Sequence, residues 1–247
     1  MINYLKADCK RVFRRIPRII IMLIMIGIFD YFLIKETGSD GWNSVKLLGK
    51  IEDFIEIYIF CAGFIEFVYI FASDLKAKTM QVGIAMGIKR RRVIGTKYLD
   101  IAVLSFVDLL FFMANMIIIG TVTGAGLKAF QFRDVIVIFV IAWLSIIAYT
   151  SFGTLVTLFM QNASLGALVY LIISFNFVNM GLKYIFDLKF IRCLKLSNYI
   201  LTGCISKFKA QLMVGVFDIR SGIVIAIYLV GVFLICCRIF RKKELSL

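Results

Sequence analysis

Six apolar runs, each near the length a lipid bilayer demands, limit what this chain can become: Ile19 to Ile34, Phe54 to Ala72, Tyr98 to Thr121, Val135 to Met160, Ala163 to Phe186 and Ile219 to Ile239. A helix needs roughly 20 residues to cross hydrocarbon. Hydrocarbon also forces every backbone N–H and C=O to find its partner within the segment, so such runs become helices. The expected fold is an all-α integral membrane protein of six transmembrane helices, one membrane domain over residues 1–247. Composition agrees, since 62% of residues are hydrophobic and one is proline, against about half apolar in a soluble domain. The first run is short enough to raise a signal peptide, but no small-residue cleavage site follows it and Asp30-Tyr31 stands where a span should end. It reads as a retained helix. No internal repeat, Ser/Pro-rich linker or low-complexity tract divides the chain.

The net charge of +14 sits mainly beside the apolar runs, which is the positive-inside pattern of a membrane protein rather than a nucleic-acid footprint. Six basic residues precede span one (Lys6, Lys10, Arg11, Arg14, Arg15, Arg18), seven lie between Ser73 and Lys97, and four close the chain (Arg238, Arg241, Lys242, Lys243). Six spans put these three groups on one face. Both termini are therefore expected in the cytoplasm, with a bacterial plasma membrane as the setting.

Ahead of span one, Ile2, Leu5, Cys9, Val12, Phe13 and Ile16 recur at three-and-four spacing with basic residues between them. This predicts an amphipathic helix lying in the inner interface. Lys189, Arg192 and Lys195 leave Phe190, Ile191 and Leu194 for lipid, which predicts a second interfacial or re-entrant piece outside.

The absence of histidine excludes a Ser-His hydrolase, an HExxH zinc protease and most imidazole metal sites. With no GxxxxGK[ST] phosphate loop in the sequence, the chain has no P-loop route to ATP hydrolysis, so any energy comes from a partner or a gradient. No cofactor is expected in this chain. The six cysteines lack metal-ligand spacing and read as apolar fillers, although Cys193 and Cys204 share one external loop where a disulfide is possible.

Between spans two and three lies a segment too polar to cross a bilayer and too apolar for a mere linker. Its middle, Thr79-Met80-Gln81-Val82-Gly83-Ile84-Ala85-Met86-Gly87-Ile88, is expected to form a short helix, with Lys89, Arg90, Arg91 and Arg92 as a basic block at the headgroups. Such a segment suits docking of something in the cytosol. Within the spans, Glu66 and Asp108 are expensive if they face lipid. Spans two and three run in opposite directions and bring both to one inner cavity, to serve a cationic substrate or a proton, or else to pair with Lys97 or with polar neighbours such as Asn115. Asn176 and Asn179 share a face of span five, as do Gln161 and Asn162 before it, for hydrogen bonding between helices. Gly27, Gly63, Gly153 and Gly166 permit close helix contact, Gly120, Gly124 and Gly126 mark a flexible turn, and Glu52, Asp53 and Glu56 form an external boundary cluster.

The basic amphipathic start, the six spans, the loop with its small-residue helix, basic cluster and Lys97, and the longer stretch before span six together resemble the type-2 permeases of ATP-binding-cassette exporters. The resemblance covers essentially the whole chain. Asp74, Thr79, Gly83, Gly87, Arg90 to Arg92 and Lys97 occupy places comparable to that family's loop pattern, with Asp74 where a Glu is usual. It implies that Thr79 to Ile88 is a coupling helix seated on a separate ATPase subunit, which would hold the ATP and magnesium. Asp74, Lys89 to Arg92 and Lys97 would form the cytoplasmic interface, and a second permease chain, identical or similar, would complete the path. Small permeases of this kind resemble those of antimicrobial-peptide export and self-immunity, which points to an amphipathic or hydrophobic cargo. The alternatives are the substrate-binding membrane component of a small-molecule importer, and a non-transporting scaffold or sensor whose basic loop binds anionic lipid.

Overall fold

The computed structural model describes residues 10–12, 15–37, 42–76, 79–85, 87–125, 127, 129–175 and 199–242. The regular structure among them is helical: α1 (Ile16–Thr37), α2 (Ser44–Phe67), a π-helical turn (Val68–Ala72), α3 (Ser73–Lys76), α4 (Thr79–Ala85), α5 (Arg90–Val122), α6 (Ala129–Met160), α7 (Ala163–Ser174), α8 (Leu201–Val214) and α9 (Ile219–Lys242). Five stretches are long and apolar enough to cross a membrane: Ile16–Glu36, Ser44–Leu75, Arg90–Val122, Gln131–Met160 and Ile219–Arg241. They correspond to predicted spans one to four and six. Of span five, Ala163–Ser174 is an apolar helix, and residues 176–186 lie outside the described residues. So do Asn176, Asn179, Cys193 and the segment Lys189 to Lys195.

The helices outrun the apolar runs at their ends because polar flanks can complete a helix in the headgroup region. Asn43 caps α2, its Oδ1 accepting from the Val45 and Lys46 amides at 3.1 and 3.0 Å. Asn162 does the same for α7, accepting from Ser164 and Leu165 at 2.9 and 3.4 Å. Its side chain thus closes its own helix end and does not bridge helices as expected. Pro17 falls in the first turn of α1, where its missing N–H leaves no hydrogen bond unmade.

The bundle packs α2 and α6 at its centre. α2 lies against α1, α5, α6 and α7, and α6 against α2, α5, α7, α8 and α9. One core joins Phe29 and Leu33 of α1, Leu47 to Ile65 of α2, Phe112 and Met116 of α5, and Ile138 and Ile146 of α6. A second gathers Val12, Phe67, Phe71, Met80, Val93, Ile94 and Phe240.

Three glycines act as expected through their missing side chains. A Cβ on Gly166 would come within 2.5 Å of the Gly153 carbonyl oxygen, and one on Gly153 within 3.0 Å of the Gly166 carbonyl oxygen. This lets α6 and α7 close as a hairpin. Gly63 makes room for the Tyr170 ring, whose hydroxyl donates to the Ile59 carbonyl at 2.5 Å. Gly27 has open space beside it, so it brings no helix closer, whereas Gly120, expected to be flexible, sits in α5 under the Leu47 side chain. The crowding there is tertiary and leaves no mark in the local sequence.

Candidate functional site

One end of the bundle collects the N-terminal segment, the link between α2 and α5, and the last turn of α9. Arg90 donates from its guanidinium to the carbonyls of Phe240 and Arg241 at 3.2 and 3.3 Å, so the start of α5 caps the end of α9. Arg15 stacks over the Tyr69 ring at 5.5 Å. Val12, on the apolar face expected to lie in lipid, is instead fully buried in the protein core beside Phe71. Residues 1–9 and 13–14 of that predicted helix lie outside the described residues.

At this end Asp74 and Lys97 meet. The Lys97 ammonium is hydrogen-bonded to one Asp74 oxygen, Asp100 lies 3.9 Å from the same ammonium, and Arg11 reaches the other Asp74 oxygen at 2.5 Å. Lys97 and Asp100 have no exposed surface and Asp74 has 1%. The cluster therefore ties α3, which continues from the α2 span, to the first turns of α5 and to the N-terminal segment. Asp74 and Lys97 were both expected on the cytoplasmic interface. Their joint burial shows that they hold the loop's two roots together, while Lys89, Arg91 and Arg92 stay exposed around them.

Between these roots the chain makes the short helix α4. It ends at Ala85, three residues before the expected Ile88, because Gly87 adopts φ +84° and its amide bonds back to the Ile84 carbonyl at 2.9 Å. A left-handed residue ends an α-helix, and glycine takes that conformation without steric cost. Met86 and the side chains of Thr79 and Gln81 lie outside the description. Met80 is buried at 1% exposure and Ile84 packs beside it against the α5 root, whereas Val82 is 51% exposed and Ala85 is exposed. Thus α4 is anchored on one face and open on the other. Arg90 to Arg92 belong to the first turn of α5 rather than to a loop.

Deeper in the bundle, Glu66 and Asp108 do come together. Glu66 is fully buried and lies within electrostatic reach of Asp108 and Arg18. Arg18 is hydrogen-bonded to Asp108 and is itself 2% exposed. Tyr58 stands close to all three. Neither partner expected for these carboxylates is the one found: Lys97 belongs to Asp74, and Asn115 donates to Asp30 at 2.6 Å. Sequence reasoning placed Arg18 in the basic flank. The missed signal is arithmetic, because two carboxylates buried in spans need a cation and Arg18 is the basic residue nearest the start of span one. Both Glu66 oxygens are buried, and its carboxyl lies within hydrogen-bonding reach of Asp108. A buried group of His, Cys, Asp and Glu able to hold a metal is absent among the described residues, and the cluster's own cation is the Arg18 guanidinium.

Long apolar helices, charge clusters sunk between them and a short anchored helix at one end define an all-helical integral membrane protein. Residues 16–246 match the family model DUF2705, described as a protein of unknown function, and the chain belongs to that family. No curated protein matches the sequence.

Proposed function

We propose that this chain is the membrane-spanning permease subunit of an ATP-binding-cassette exporter. A separate ATPase subunit, holding ATP and magnesium, docks on α4, and a second permease chain completes the path. The reading places the basic end of the bundle in the cytoplasm, with both termini there, and the rest in a plasma membrane. The cargo is amphipathic or hydrophobic and moves outward. The type-2 permease resemblance of the whole chain supports this. So does one structural observation above the others: α4 is rooted through the buried Asp74–Lys97–Asp100 cluster to the spans on either side of it.

That linkage supplies a mechanism. Packed elements with buried charge pairs between them move as units, because opening the pair in a low-dielectric interior costs several kcal/mol. Force applied to the open face of α4 is therefore carried into both α2 and α5, with Arg11 adding the N-terminal segment. The Arg18–Asp108–Glu66 cluster lies between the same helices and α1, where tilting would change its contacts. The chain itself is not an enzyme in this reading, and catalysis belongs to the partner.

Purification of the tagged chain from its native membrane, beside a form with residues 79–85 replaced by a Gly/Ser linker, tests the reading. An ATPase with a P-loop captured by the intact chain and lost with the linker is expected. A folded intact chain that captures none overturns it.

A further inference from the structure

We infer that the half of the bundle remote from α4 carries a binding site for a cationic amphiphile, a ligand with one aliphatic chain and a protonated amine head. The site is a property of this chain alone and does not depend on the exporter reading. Its core is a cavity of about 470 Å³ between α2, α6, α7 and α8, within the size range of ligand pockets. Ile55, Ile59, Ile138, Ile141 and Ile205 give it an aliphatic wall, and hydroxyls from Ser145, Tyr149, Thr202 and Ser206 interrupt that wall.

Two observations give the ligand its polar character. Thr202 lines the cavity at 5% exposure, and its hydroxyl oxygen is buried with no hydrogen-bond partner among the described residues. A hydroxyl buried without a partner is destabilising, and a hydrogen-bonding group within a ligand would relieve it. Nearby Ser145 and Ser206 donate to their own helix, to the Ile141 and Thr202 carbonyls at 2.8 and 3.0 Å, which leaves the Thr202 hydroxyl to bond a ligand.

The rim fixes the charge. Lys209 lines the mouth but is neutralised by Glu52 at 2.6 Å. Glu56, one helical turn after Glu52 and also on the mouth, is exposed and has no ion pair among the described residues. The rim thus keeps one surplus negative charge above an aliphatic well. These acidic residues were expected to be a boundary cluster without chemistry, and the fold gives Glu56 a cavity to guard. A fatty acid would meet Glu56 with the wrong sign, and a neutral lipid would leave it unused.

Purified chain in lipid nanodiscs, exposed to a photoreactive medium-chain acyl amide ending in a primary ammonium and to its hydroxyl-ended neutral counterpart, tests the site by mapped cross-linking. The ammonium probe should label residues 55–61 and 202–209. Glu56→Gln should lower its capture about tenfold, the loss of one charge-assisted contact, and leave the neutral probe unchanged. Ala142→Phe, which fills the cavity, should lower both. Equal capture of the two probes by the unaltered chain, capture unaffected by Glu56→Gln, or label spread over α1 and α9 overturns the proposal. Since Glu56→Gln is a rim change on an exposed residue, it carries the test even if Ala142→Phe fails to fold. ATPase capture in a parallel sample scores the exporter reading separately.

Discussion

Lys97 lies with no exposed surface between Asp74 and Asp100, and its removal would leave two carboxylates facing one another in the interior. Lys97→Met should destabilise the folded chain by about 3–5 kcal/mol, seen as a lowered melting temperature in mild detergent. Pairing it with Asp74→Asn should recover part of that loss, since replacing a whole buried pair costs less than breaking it; a double variant as weak as the sum of the two singles would contradict the contact. Gly87→Ala should cost about 1–2 kcal/mol at φ +84°, read as faster hydrogen exchange of the amides from Met80 to Ala85 with the rest of the bundle unchanged. Cys204 is buried in the third core, and burial pushes its thiol up from the ordinary value; maleimide should label it slowly at neutral pH, with unfolding restoring the normal rate. Asp74, Lys97 and Gly87 stood out in the sequence because charge and glycine are rare inside an oily pattern. The pairing of Asp74 with Lys97 did not, since a contact across 23 positions depends on helix packing that no local spacing encodes.

At the scale of elements, the spans were legible because hydrocarbon leaves a long apolar run few alternatives. Their ends were not, because caps such as Asn43 and Asn162 act through side-chain geometry. The π-helical turn at Val68–Ala72, where the Ser73 hydroxyl donates to the Tyr69 carbonyl at 2.5 Å, likewise has no periodic signature. The α6–α7 hairpin depends on Gly153 and Gly166, so Gly166→Leu should separate the two helices and abolish the folded fraction on size-exclusion, while Gly27→Leu, with open space around it, should leave it intact. Asp218, just before α9, accepts from the Ser221 hydroxyl at 2.5 Å and the Arg220 amide at 3.2 Å. The Ser221 hydrogen bond holds its carboxyl below the usual carboxylate value. A depressed value means the cap's contribution is present above the unfolded carboxylate range and fades as pH falls through the folded one. Acidification should therefore loosen the first turn of α9 in the unaltered chain, and Asp218→Asn should remove that pH dependence in exchange measurements corrected for intrinsic rate.

At the scale of the molecule, the chain belongs to DUF2705 and its structure joins one end of the bundle through charge. Arg11, Asp74, Lys97 and Asp100 bind the N-terminal segment to the roots of α4, and Arg90 binds α5 to the end of α9. Deeper in the bundle the expected pair of acids, Glu66 and Asp108, also meets in space, though Arg18 rather than Lys97 or Asn115 is the partner. The proposed docking role of α4 makes it the point at which a partner applies force. It is tested most directly by placing a photo-cross-linking amino acid at Val82, which is 51% exposed, and separately at Met80, which is 1% exposed, in cells making the chain at native level. Position 82 should cross-link to a P-loop ATPase and position 80 only within the chain. Cross-links from position 82 to lipid alone, in a chain that is folded and inserted, would contradict it.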